Sequence, residues 1–196
     1  MPRVIAGTAG GRRLAAPPGR STRPTSDRTR EGLFASLGSM IEGGAGLRVL
    51  DLYAGSGAVG LEALSRGAAH VTLVESAPRT LRVLRDNVRR LGLPGAEVVA
   101  NRVERLIRGP VPGRPYDLVF VDPPYALEEG ALATVLAAAR DGGWLADEGI
   151  CVVERATRGG EPWPPGFVAD KVRRYGDATL WYGRAASPHR AEREPD

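Results

Sequence analysis

Cysteine, histidine, lysine and long apolar runs are what this sequence has least of. A single cysteine, Cys151, in 196 residues makes an internal disulfide impossible and removes any sign of a secreted, disulfide-stapled scaffold. Two histidines, His70 and His189, stand beside it; that is too few for a Cys/His metal site, so no metal is expected. No apolar run approaches the ~20 residues that span a bilayer. Met1–Gly7 holds no apolar stretch long enough for a secretory signal. A cytoplasmic protein, away from the membrane, is the expectation.

The shortage of lysine is extreme: Lys171 is alone among 27 basic residues. With so much Ala and Gly, this looks like codon bias. Bias explains arginine in place of lysine, but not where the charge gathers. Residues 1–40 carry seven arginines against Asp27 and Glu31, a net +5, while the whole chain is only +4. A basic head on a near-neutral body points to a polyanion as partner of the head.

The length suits one α/β domain, and 42% apolar residues suffice for its core. Arg3–Ala6 and Arg13–Ala16 flank Gly10-Gly11 as a small hairpin. Ser26-Asp27 opens a helix with a capping side chain and an acid in its first turn. Leu33, Phe34, Leu37, Met40 and Ile41 form its apolar face. From Leu47 strands and helices alternate: strands at 47–52, 71–75, 98–100, 118–121 and 150–154, helices at 59–66, 78–91, 103–107 and 130–140. Two further strands, 168–175 and 178–184, meet at Gly176-Asp177, a hairpin signal. The βα series predicts a doubly wound, mostly parallel, seven-stranded sheet with helices on both faces, closed by a C-terminal antiparallel hairpin. The expected division is a basic N-terminal extension over 1–42, a catalytic domain over 43–184 and a flexible tail over 185–196.

Two motifs carry chemistry. Asp51-Leu-Tyr-Ala-Gly-Ser-Gly-Ala-Val-Gly60 follows the first strand and opens a helix. Small residues there admit a ligand to the backbone, and the helix start offers free N–H groups. Gly55-Ser-Gly-Ala-Val-Gly60 also fits the dinucleotide fingerprint, so an NAD-dependent oxidoreductase stays open. Asp51 argues against it, because a carboxylate at the strand's end repels a pyrophosphate and attracts a cationic ligand. Glu75 ends the second strand, where a carboxylate can hold both hydroxyls of a ribose. The second motif, Asp122-Pro-Pro-Tyr125, closes the strand Leu118–Val121. Asp51, Glu75 and Asp122 thus fall at three strand ends on one sheet edge.

Asp-x-Tyr-x-Gly-x-Gly resembles the first motif of class I methyltransferases, which bind S-adenosylmethionine. The resemblance implies a cofactor site of Asp51, Tyr53, Gly55, Ser56, Gly57, Glu75, Ser76, Asn101 and Arg102. Glu75 would hold the ribose, and Asn101 would lie near the adenine amino group. Asp122-Pro123-Pro124-Tyr125 resembles the fourth motif of methyltransferases acting on planar amino groups. Such a nitrogen is a poor nucleophile because its lone pair is drawn into the ring. Asp122 and a proline carbonyl would accept its hydrogens, the prolines would fix that carbonyl's direction, and Tyr125 would stack on the base. The motif alone leaves adenine, cytosine, guanine and glutamine amides open; Asp rather than Asn leans toward a nucleobase.

Arg3-Val-Ile-Ala-Gly, Gly11-Arg-Arg-Leu and Arg23-Pro-Thr-Ser-Asp-Arg-Thr-Arg-Glu31 resemble the bacterial RsmD family, as does the chain through Val153-Glu154 to the last hairpin. That resemblance implies methyl transfer to the exocyclic amino group (N2) of a guanine in small-subunit ribosomal RNA, by a monomer, on RNA within a particle or assembly intermediate. RNA contacts would come from Arg3, Arg12, Arg13, Arg23, Thr25, Asp27 and Arg30, with capping and local ion pairing as the other reading of Thr25 and Asp27. A DNA amino-methyltransferase and a non-catalytic RNA-binding module are the remaining alternatives. The first lacks an obvious target-recognition region, and the second leaves the cofactor motif without use.

Overall fold

In the computed structural model of the protein, residues 2–17, 26–42, 46–157 and 159–186 are described. Five parallel strands form the centre: β1 (Arg48–Leu52), β2 (His70–Glu75), β3 (Ala96–Ala100), β4 (Tyr116–Val121) and β5 (Leu145–Ala156). The hairpin β6 (Phe167–Tyr175) and β7 (Ala178–Ala185) adds two more, giving the order β3-β2-β1-β4-β5-β7-β6. β7 is antiparallel to both β5 and β6. Five helices connect or flank the strands: α1 (Asp27–Glu42), α2 (Ala58–Ser65), α3 (Pro78–Leu91), α4 (Val103–Leu106) and α5 (Glu129–Asp141). The direction of winding reverses between β1 and β4, and ligands of such sheets sit beyond the strand ends at that point.

Strands buried on both faces need apolar residues throughout rather than alternation. β1 and β4 obey this, with Leu50, Leu52, Val119 and Val121 packed on one face and Val49, Leu118 and Phe120 on the other. The first face carries α4 and α5 through Val103, Leu132 and Leu136. The second carries α2 and α3 through Leu61 and Leu84. α3 opens with Pro78 in its first turn and ends at Gly92 in the left-handed conformation (φ 60°), the terminators expected of a helix.

The structure departs from the sequence reading in three places. The expected N-terminal hairpin forms around one antiparallel bridge, Arg3 to Arg13, with Val4 N–H donating to Arg12 O and Leu14 N–H to Pro2 O, but it does not extend into full strands, since Ile5 N–H and Ala15 N–H bond side chains of α2 and α3. α1 is interrupted at Gly38 (φ 33°, ψ −117°), where a residue without Cβ permits the kink. All eight residues of α2 are buried. β5 starts five residues before the predicted strand, continuing the parallel pairing back to Tyr116↔Leu145 across an irregularity. The side chains of Met40 and Ile41, and the predicted tail beyond residue 186, lie outside the described residues. Val4, Leu14, Leu33, Phe34 and Leu37 share one core with α2, α3 and the sheet, so the described part of 2–42 is packed onto the strands' own core.

Candidate active site

The glycine turn is held by the acids around it. Asp51, 2% exposed, accepts from the Gly60 N–H through Oδ2 at 2.9 Å. Turn-forming, the plainer use for this residue, is therefore part of its role. Burial pushes its carboxyl up to about 7; the Gly60 N–H opposes the shift and the Glu75 charge adds to it. Glu75 bridges the same turn to the next helix: Oε2 accepts from Gly55 N–H at 3.1 Å, and Oε1 from Ser76 and Ala77 N–H at 2.7 and 2.8 Å. Gly57 is left-handed (φ 81°), and a Cβ there would lie 2.5 Å from Leu84 Cδ1. Tyr53 is the one non-glycine with positive φ (61°) among the described residues; its hydroxyl donates to Glu104 Oε1 at 2.8 Å. Burial and Glu104 together push that phenol up. Asn101 follows β3; its Oδ1 accepts from Arg102 N–H at 2.9 Å and its own N–H reaches Glu75 O at 3.2 Å. The predicted cofactor residues therefore gather at the ends of β1, β2 and β3.

Asp122 leaves β4 beside them, its N–H donating to Leu52 O at 3.4 Å. The Pro124 carbonyl accepts from Leu127 N–H at 2.8 Å and closes the turn. Tyr125 is 70% exposed, the most exposed large apolar side chain of the described residues. An aromatic left in water on a rigid turn is a platform for stacking. Asp122, both prolines and Tyr125 line a cavity of about 110 Å³ with Glu154 and Arg155 of β5. A larger groove, about 230 Å³, lies among α4 and α5 residues and includes none of either motif.

The basic head is where the reading needs correction. Arg30 is fully buried and donates to the Arg3 carbonyl at 2.8 Å and Asp27 Oδ1 at 2.5 Å; Glu62 lies 3.6 Å away. Its guanidinium is committed inside the protein, not offered to RNA. Asp27 pairs with it and with Arg3, so the local ion-pair reading holds for Asp27. Arg12 donates to the Leu91 and Arg90 carbonyls, capping the negative end of α3. Arg3 and Arg13 are exposed. Arg23 and Thr25 lie outside the described residues. Ser26 caps α1 as expected, its Oγ accepting from Thr29 N–H at 3.1 Å.

Three buried polar residues escaped the sequence reading. Glu62 accepts from the N–H groups of Ile5 (2.6 Å) and Ala6 (3.0 Å) and from Arg66 Nε (2.7 Å). Ser65 accepts from Ala9 N–H at 2.9 Å and donates to Ala6 O at 2.6 Å. Asn87 donates to Ala15 O and Ser56 O, each at 2.9 Å, and accepts from Ala15 N–H at 2.8 Å. Together they fasten the head to α2 and α3, and Asn87 reaches the glycine turn itself. The signal was present: Glu62 and Ser65 interrupt the apolar helix α2, and Asn87 falls on the leucine face of α3, where an unpaired group would cost too much to keep. Asn87→Leu strands three backbone partners, one buried and two half-buried, at up to about 1–3 kcal/mol each. The expected result is a lower unfolding midpoint and a raised KM for S-adenosylmethionine, read by urea titration and initial rates.

The chain as a whole is similar to known proteins. The family model described as "Conserved hypothetical protein 95" matches residues 2–184. Ribosomal RNA small subunit methyltransferase D of Escherichia coli K12 is 40% identical over 163 residues, 83% of this chain and 79% of that one. The protein of the same name from Haemophilus influenzae is 34% identical over 154 residues, covering 78% and 77% of the two chains. A solved Escherichia coli structure described as a candidate methyltransferase, yhhF, superposes with a TM-score of 0.81 at 36% identity, covering 95% of this chain and 99% of its own. With the match running from the head through both motifs to the last strand, the chain belongs to the Conserved hypothetical protein 95 family, the RsmD-type S-adenosylmethionine-dependent methyltransferases.

Proposed function

We propose that the protein transfers a methyl group from S-adenosylmethionine to N2 of a guanine in small-subunit ribosomal RNA. The observation that carries this is the juxtaposition of the two motifs. The Asp122–Tyr125 turn leaves the end of β4 beside β1, whose acid-braced glycine turn leaves the same end across the sheet's switch point, and the Asp122 N–H bonds Leu52 O at 3.4 Å. The names of the related proteins supply the polymer.

The residues of the turn fit the cofactor. Asp51 and Glu75 are carboxylates beside a backbone bare of side chains, suited to a cationic ligand with a ribose. The cofactor supplies a methyl group made electrophilic by a positive sulfur. The chain supplies position and field. The carbonyl of Pro123 and the carboxylate of Asp122 accept the two hydrogens of the guanine amino group, turning its lone pair toward the methyl. Asp122 is also placed to take the proton that nitrogen sheds. Tyr125 stacks on the base, which must leave its helix or sit in an unpaired loop to reach the cavity. Exposed arginines of the head, Arg3 and Arg13 among them, neutralise phosphates around the target. The substrate is RNA in a small-subunit particle or assembly intermediate, and the enzyme acts as a monomer.

The test is transfer of labelled methyl to small-subunit RNA or particles from cells lacking the gene, with mass-spectrometric mapping. One methyl on N2 of one guanine is expected; label on protein alone would sink the proposal.

Asp51 gives this reading a pH dependence. Its folded-state carboxyl is raised to about 7 from 3.8. The native protein therefore holds the extra proton between those values, and stability falls as pH rises through about 7. Asp51→Asn keeps an acceptor for Gly60 N–H but cannot ionise. Thermal melts should show the variant matching wild type near pH 4 and exceeding it at pH 8, while its affinity for the cationic cofactor is lower at pH 8.

A further inference from the structure

An amino-group clamp does not identify a base. Adenine and cytosine carry the same kind of amine as guanine, so Asp122 and a proline carbonyl accept all three. Discrimination must come from another wall of the cavity. Arg155 is the one cation among the described residues lining it.

Its position is fixed by the sheet. Val121 pairs with Val153, so Arg155 lies across one strand spacing of about 5 Å and level with the first proline, given a rise of about 3.3 Å per residue. The end of β5 is held on both sides. Arg155 pairs with Thr179 of β7, and Thr157 N–H donates to Asp177 O at 2.9 Å. The chain then turns back at Gly159, whose N–H donates to Ala156 O at 2.8 Å. A Cβ on Gly159 would lie 3.5 Å from Arg155 Nε, so glycine adds no side chain of its own against the guanidinium. Arg155's ion-pair partner is Glu129, 3.7 Å away and 79% exposed. The guanidinium itself is 18% exposed, and at that length Glu129 makes no short charge-assisted bond that a ligand would have to break.

We propose that Arg155 is the specificity-determining residue of this site, donating its two-pronged N–H pair to O6 and N7 of the guanine whose amino group sits at Asp122. The inference rests on the guanine reading above. Guanine alone carries two adjacent acceptors, O6 and N7, apart from its amino group; adenine and cytosine carry their amino group on that very edge, so seating it at Asp122 turns the edge away from Arg155 and leaves the guanidinium without a paired acceptor. Arg155 thus supplies what the Asp-Pro-Pro-Tyr turn lacks, from the neighbouring strand.

The experiment is a cycle between enzyme and base. Small-subunit RNA is transcribed with guanosine or 7-deazaguanosine, which lacks N7, and used bare or with small-subunit proteins added back, whichever the wild type methylates. Wild type, Arg155→Ala, Arg155→Lys and Glu129→Gln are compared by kcat/KM, with thermal melts to verify folding. Wild type and Glu129→Gln should lose about tenfold on the 7-deaza RNA. Arg155→Ala and Arg155→Lys should fall about ten- to a hundredfold on guanosine RNA and lose little more on the analogue. A full analogue penalty retained in Arg155→Ala, or Arg155→Ala as fast as wild type, overturns the role of Arg155. So does Glu129→Gln reproducing Arg155→Ala in both RNAs, since the ion pair would then be the function. If wild type labels no guanine in either RNA, the guanine reading fails instead.

Discussion

Asp122→Ala should leave a folded protein that binds S-adenosylmethionine and scarcely transfers its methyl group. Asp122 lies past the last residue of β4, outside both hydrophobic clusters, so truncation opens no core cavity. The cofactor turn is braced by Asp51, Glu75 and Asn87. What is lost is the acceptor that turns the amine's lone pair toward the methyl group and receives its proton. Losing one preorganised polar partner of a reacting centre costs about 10²–10³-fold in kcat, and the lost proton acceptor adds to that. Single-turnover transfer from labelled cofactor measures the rate, and calorimetric titration the binding. A variant within tenfold of wild type in rate would show that Asp122 is only the end of a strand. Asp122→Asn should lie between, since it restores one acceptor oxygen but no proton acceptor.

The largest effect on stability is expected at Glu62. Its side chain is fully buried and serves two backbone N–H groups, Arg66 and Arg30. Glu62→Ala leaves Arg30, itself fully buried, without its buried counter-charge. Breaking one side of a buried ion pair costs about 3–5 kcal/mol, a large share of the roughly 5–15 kcal/mol that holds a typical domain together. Urea unfolding should show this drop. Loss of protection at the amides of Ile5 and Ala6 in hydrogen exchange should accompany it, because the head loses its anchor. The double variant Glu62→Met, Arg30→Met removes both charges and should recover much of the loss. A Glu62→Ala protein as stable as wild type would mean that the head is held by its apolar residues alone.

The two kinds of result bear on how the chain can be read. β1, β2 and β4 and the helix α3 are legible because burial on both sheet faces, or on one helix face, writes a local pattern of apolar residues. Asp51, Glu75 and Asp122 are legible for a related reason: strand ends are marked by glycine and proline, so an acid there has a known place. Arg30 was misplaced by the same local logic. Its neighbours Arg28 and Glu31 are exposed, and nothing within a few residues of Arg30 tells of Glu62, which meets it from α2. Glu62, Ser65 and Asn87 were visible only as polar interruptions of apolar stripes. Arg155 had no local mark at all, since a charge near the end of a strand ordinarily points to solvent.

By itself, then, the sequence determined the doubly wound sheet and the place of both motifs at its strand ends, because each depends on residue types a few positions apart. Only the tertiary structure decided which arginines remain at the surface, how the head is fastened to α2 and α3, and what faces Asp122 across the cavity. Those depend on contacts such as Ala6 with Glu62, Ala15 with Asn87 and the β4–β5 register. They join residues tens of positions apart, where no local spacing rule reaches.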